Sequence, residues 1–229
     1  AVGILFSLPL FLEETHFKVG LGIGLSTWIF LSLILSLKAR LRNKKTLAAM
    51  WRDFSIQGRS YYGMILGHLG MAVSIVGITF VSIYGIEKDI RLSPGESKDI
   101  AGYHFVFNGV KSITGPNYQS SMGDFTITKN DKLVANLSPE KRNYFSQTMP
   151  MTEAGINAGF TRDLYVSLGE PLGKGDWSMR LYYKPFVRWI WLGAIFMALG
   201  GFLAISDRRY RLKIKQRSAE VLSGSEVNA

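Results

Sequence analysis

The chain contains no cysteine, and that single absence removes disulfides, thiolate ligation and a thiol nucleophile from its chemistry. Imidazoles are almost as scarce, with three histidines in 229 residues. Acidic residues are outnumbered, 17 against 27 lysines and arginines, which leaves a net charge of +10. The residue order supports no phosphate-cradling glycine loop, no paired-carboxylate site and no Ser/His/Asp arrangement. Internal repeats and low-complexity tracts are missing as well.

Long apolar runs are what the chain does have. Three of them, from Val19 to Leu37, from Tyr62 to Tyr84 and from Phe186 to Ile205, approach the roughly 20 residues that span about 30 Å of hydrocarbon. A fourth run, Ala1 to Leu12, is too short to span and has no basic stretch before it, so it reads as the end of a cut helix rather than a signal peptide. On that reading the chain is the C-terminal part of a longer protein. The expected order is a truncated helix and outer loop (1–17), a transmembrane helix (18–38), a basic cytoplasmic loop (39–60), a second transmembrane helix (61–85), a periplasmic β-domain (86–184), a third transmembrane helix (185–206) and a basic cytoplasmic tail (207–229).

The positive charge is distributed to match. Between Lys38 and Arg59 seven basic residues face Asp53 alone, and a second basic cluster runs from Arg208 to Arg217. The positive-inside rule puts both in the cytoplasm, and the two helices between them make the placements agree. Because topology explains these clusters, a nucleic-acid partner is not expected. Tyr182, Tyr183, Trp189 and Trp191 crowd the outer start of the last helix, as an interfacial aromatic belt would, so membrane lipid is an expected partner.

The segment between the second and third helices alternates with a period of two. Tyr103, Phe105 and Phe107, then Phe125 and Ile127, then Leu164, Val166 and Leu168, then Trp177, Met179, Leu181 and Tyr183 each mark one face of a strand. Turns are expected at Asn108-Gly109, Gly115-Pro116-Asn117, Asn130-Asp131 and Gly173-Lys174-Gly175. The fold class is therefore a membrane α-helical protein with an inserted all-β extracytoplasmic domain, a small barrel or sandwich.

His68 is the best chemical handle. It lies inside an apolar helix, roughly 10 Å from the cytoplasmic end at 1.5 Å per residue. An intramembrane ionisable group is expensive and points to function. Metal ligand, proton relay and interhelical hydrogen-bonding residue are the three readings. Met64, Met71, Ala72 and Ile75 share its face, which offers no hydroxyl partner, and Gly63, Gly67 and Gly70 lie close by. Arg188 is either an interfacial anchor that snorkels or a clamp for a carboxylate. His16 follows two glutamates and reads as a solvated loop residue, His104 as an exposed structural one, and Arg162-Asp163 as a local ion pair.

Two stretches carry a resemblance. One is Tyr61-Tyr-Gly-Met-Ile-Leu-Gly-His-Leu-Gly70. The other runs from Arg162-Asp-Leu-Tyr-Val-Ser-Leu-Gly-Glu170 through Gly175-Asp-Trp177 to Lys184-Pro-Phe-Val-Arg-Trp-Ile-Trp-Leu-Gly193, and closes at Asp207-Arg-Arg-Tyr-Arg211. These resemble the C-terminal third of the CcmF/CycK/CcsA family of bacterial cytochrome c haem lyase subunits, a pattern shared with relatives used in nitrite reductase assembly. The resemblance implies work with a CcmE-type haem chaperone and with CcmH- and CcmI-type subunits that handle apocytochrome c. It implies covalent haem attachment to that apocytochrome, and a membrane haem b that relays electrons from quinol. His68 matches the second of the two membrane histidines that hold that haem, which makes it the expected axial ligand to the haem iron. Arg188 becomes a candidate propionate contact. The family's Trp-rich segment, its first membrane histidine and its two outer histidines have no match here, so this chain alone is expected to be inactive and to supply half a site. No catalytic residue is assigned. The alternative is a non-enzymatic membrane scaffold or docking subunit of a cytochrome assembly complex, with His68 as interhelical glue.

Overall fold

The computed structural model describes residues 14–42, 46–146 and 149–207. The apolar run Ala1–Leu12 and the basic tail beyond Asp207 lie outside the described residues. The chain divides into two compact units, residues 1–79 with 189–229, and residues 80–188.

The first unit is helical. Helix α1 spans Glu14–Leu41, α2 spans Leu47–Ile56, α3 spans Arg59–Tyr84 and α4 spans Val187–Ile205. The end of α3 and the start of α4 fall within the second unit. Three helices, α1, α3 and α4, are long and apolar enough to cross a membrane. Helix α2 is an element that the basic connection does not announce. Its start is set by Thr46, whose Oγ1 accepts from Ala49 N at 3.2 Å, a side-chain cap on a free helix-end donor.

Small residues decide how α3 packs. A Cβ added at Gly63 would strike Gly200 O and Ala204 of α4, and one at Gly70 would strike Gly193 O and Met197 N. The two helices therefore approach at backbone distance, which only glycine permits. Ser74 Oγ donates to Ile190 O at 3.2 Å along the same seam. On the α1 side Ser26 Oγ donates to Ala72 O at 3.0 Å. At the start of α3, Ser60 N donates to Oδ2 of the buried Asp207 at 3.0 Å, so a carboxylate from beyond α4 caps the positive end of α3.

The second unit is a sandwich of antiparallel strands: β1 (Ile86–Leu92), β2 (Ser97–Ile100), β3 (Tyr103–Thr114), β4 (Tyr118–Lys129), β5 (Lys132–Leu137), β6 (Glu140–Tyr144), β7 (Met151–Glu153), β8 (Gly155–Ala158), β9 (Arg162–Gly173) and β10 (Asp176–Pro185). One sheet has the order β1-β10-β9-β8, the other β2-β3-β4-β6-β7, with β5 also paired to β4. The alternation read from the sequence is the core. Phe105, Phe107, Phe125, Ile127, Leu164, Val166, Leu168 and Leu181 are fully buried, and Leu92, Ile100, Tyr103, Leu137 and Met179 complete the cluster, with Trp177 and Tyr183 partly buried against it.

Asn108-Gly109 is not a turn. Gly109 lies within β3, where the register to β4 slips between Phe107 and Gly109, and its φ of 127° marks a bulge. The same glycine chemistry serves a bulge as readily as a hairpin loop, and the long strand on either side decides between them. The actual two-residue hairpin nearby is Ala101-Gly102, with φ of 51° and 74°, joining β2 to β3. Asn130-Asp131 and Gly173-Lys174-Gly175 are turns with positive φ throughout, as expected.

Candidate functional site

Helix α3 has three faces with different fates. Gly63, Gly70 and Ser74 meet α4, and Ala72 meets α1. The remaining stripe, Met64, His68, Met71 and Ile78, is exposed. Offsets of four, three and seven residues put these side chains one above another. His68 does not reach across to another described helix. Its Nδ1 lies 2.8 Å from Met64 O, one turn back on its own helix. A carbonyl oxygen can only accept, so Nδ1 is the donor of this contact, and in the neutral ring Nε2 is then the nitrogen with the lone pair. Gly67, next to it, is open: a Cβ there meets nothing within 4 Å. A main-chain carbonyl thus stands where no hydroxyl partner is available, and no side-chain pattern reveals it.

Arg188, in the first turn of α4, pairs with Asp163 through Nε, at 3.1 Å to Oδ1 and 3.3 Å to Oδ2. Asp163 is buried and also accepts from Gly159 N at 2.9 Å and from Tyr165 OH at 3.4 Å. Burial pushes the Tyr165 phenol above its ordinary range, and the Asp163 carboxylate adds to that rise. The local ion pair between Arg162 and Asp163 does not form. Neighbours on a strand point to opposite faces. Arg162 instead donates from Nε to Tyr103 OH at 3.0 Å and from Nη1 to Asn157 O at 3.1 Å, with its guanidinium over the Tyr103 ring. Burial alone would raise the Tyr103 phenol; Arg162, by hydrogen bond and charge, and Lys129 together draw it below its ordinary value.

His104 is exposed on β3, and its Nδ1 is 2.7 Å from Asp99 Oδ1. His16 falls within α1, and its side chain lies outside the described residues. Among the described residues no group of three or more His, Cys, Asp or Glu is placed to hold a metal ion. His68 lies in the first unit and Arg188 in the second.

Residues 83–185 match the family model described as the CcmF C-terminal beta-sandwich. The chain is 50% identical over 198 residues to the cytochrome c-type biogenesis protein CcmF of Pseudomonas aeruginosa, covering 86% of this chain and 30% of that protein. It is 44% identical over 211 residues to the CcmF of Haemophilus influenzae, covering 91% of this chain and 32% of that one. A solved structure titled cytochrome c heme lyase CcmF shares the fold, with a TM-score of 0.70 over 90% of this chain and 34% of that chain, at 17% identity. The chain spans about 30% of the length of the curated relatives it matches. By its helices, its β-sandwich and these identities, the chain belongs to the CcmF family of cytochrome c-type biogenesis proteins.

Proposed function

We propose that this chain supplies His68 as one axial ligand of a b-type haem at membrane depth, in a haem lyase subunit that supports covalent haem attachment to apocytochrome c. The observation that carries the reading is the state of His68: exposed on an apolar helix face, Nδ1 satisfied, Nε2 free to ligate. The surroundings fit such a group. Met64 and Met71 are exposed beside the imidazole, and the space over Gly67 is open, as a flat macrocycle needs. His68 would be one of the residues that hold the haem, and the group would supply a one-electron carrier there. The role of this chain is to hold Nε2 in place and to keep water away with the apolar stripe around it. The second imidazole, the quinol that feeds the electrons, the CcmE-type chaperone and the CcmH- and CcmI-type subunits belong to the assembled complex. The bacterial inner membrane is the compartment that fits three apolar helices and basic inner connections, with the β-domain in the periplasm.

The interhelical-glue reading of His68 has less support, since the imidazole bonds to its own helix and not to α1 or α4. The test is His68→Ala in the full-length protein, with the visible spectrum recorded after purification. Loss of the b-type bands and of cytochrome c maturation is expected. Unchanged haem content with normal maturation overturns the proposal, and a purified intact protein free of haem favours the scaffold reading.

A further inference from the structure

Met64 O stands one helical turn before His68, where α-helix geometry already makes it the acceptor for the backbone N–H of His68. The imidazole Nδ1 reaches the same oxygen at 2.8 Å. A carbonyl carries two lone pairs, so it can take both donors from one residue. The two hydrogen bonds tie the side chain to the backbone at both ends of its torsions, and the ring is left with little freedom to turn about them. We infer that the Met64 main-chain carbonyl is the positioning group of the membrane site: it fixes the His68 tautomer, directs Nε2 as the ligating nitrogen, and raises the donor strength of that nitrogen.

The inference rests on the ligand role proposed for His68, and it adds the element that role lacks. A ligating histidine almost always has its other N–H held, and the held proton sets both tautomer and basicity. In metal sites generally, a carboxylate or a water molecule can hold that proton as well as a carbonyl can. The stripe bearing His68 provides no carboxylate: it consists of Met64, Met71 and Ile78, and the neighbouring positions Gly67 and Leu69 carry no acceptor side chain. The helix therefore provides the second partner from its own main chain. A main-chain acceptor brings no charge into hydrocarbon, unlike an aspartate. It also makes the arrangement independent of the side chain at position 64, so the Met64 thioether is not part of it.

The test uses full-length protein with position 68 replaced by each of two methylated histidines, read by absorption and by redox titration of the haem. Nδ1-methylhistidine removes donation to Met64 O and leaves Nε2 free. It is expected to retain the b-type spectrum and to raise the midpoint potential, since the ligand becomes a weaker donor. Nε2-methylhistidine is expected to lose the haem, as His68→Ala does. Met64→Leu is expected to keep both spectrum and potential. Haem retained by the Nε2-methyl form and lost by the Nδ1-methyl form overturns the inference while sparing the ligand role, as does a Nδ1-methyl form with unshifted potential. Haem retained by His68→Ala overturns the ligand role itself.

Discussion

In the β-domain the Asp163 carboxylate is buried and receives Arg188, Gly159 N and Tyr165 OH. In the helical unit the His68 imidazole is exposed, with one nitrogen bonded to Met64 O and the other left over. Among the described residues no buried side-chain nitrogen or oxygen lacks a partner, and Asp163 follows that rule. Buried polar groups are satisfied because leaving them unpaired costs about 1–3 kcal/mol each. The His68 imidazole is exposed, so no such cost applies to its second nitrogen.

Substitutions can sharpen that contrast. The largest effect on folding is expected from the sandwich core: Phe107→Ala or Phe125→Ala empties a fully buried ring position and should cost about 3–5 kcal/mol, read by denaturant unfolding of the whole chain in detergent. If these variants unfold at the wild-type midpoint, the two-sheet core is wrong. Next comes Gly70→Val, which drives a side chain into Gly193 O and should cost about 1–3 kcal/mol, whereas Gly67→Ala enters open space and should leave the midpoint nearly unmoved. Equal effects at the two glycines would break the account of the α3–α4 seam. Asp163→Asn should destabilise the β-domain by about 1–3 kcal/mol and bring the Tyr165 phenol back toward its ordinary range in an ultraviolet pH titration. By contrast, His68→Ala should leave fold stability within about 0.5 kcal/mol, because an exposed side chain with a local bond carries little of it. A loss comparable to Asp163→Asn would make His68 a structural residue.

The smallest expected effect is on pH. The Asp89 carboxyl is held below its ordinary range by its hydrogen bond from Arg180, Glu140 by that from Arg142, and Asp176 by Ser93 and Arg91. Groups whose folded pKa is lowered bind protons more tightly in the unfolded chain. Their contribution is fully present above the unfolded carboxylate value of about 4 and is lost as pH falls through the lower folded values. Acid unfolding of the β-domain should therefore steepen below about pH 4, and Glu140→Gln should flatten the slope.

Much of this architecture is legible in the residue order, for reasons that single residues show. Phe105 and Phe107 announce a buried strand face because a period of two matches the pleat of a half-buried strand. The run from Tyr62 to Tyr84 announces a helix long and apolar enough to span by its length and composition together. What escapes a sequence reading depends on partners distant in the chain or on the main chain itself. Asp163 is adjacent to Arg162 in the chain and pairs with Arg188 in space, since strand pleating separates neighbours. Asp207 caps a helix 147 positions away. Gly109 is a bulge and not a turn because β4 continues alongside it. The proton on His68 Nδ1 is fixed by a carbonyl, and carbonyls are the same at every position of a sequence.

The pairing of β1 with β10 has one further consequence. Ile86 lies opposite Tyr183, so the strand by which the chain enters the sandwich and the strand by which it leaves are hydrogen-bonded neighbours. About a hundred residues of β-sandwich thus begin and end at the same place. To the helices that precede and follow it, such an insert demands no more reach than a short hairpin would, and its closure entropy is met inside its own sheet. That makes the sandwich a module that can lengthen, shrink or change its loops without pulling on the apolar helices. The helix pair and the sandwich are free to follow separate selective demands.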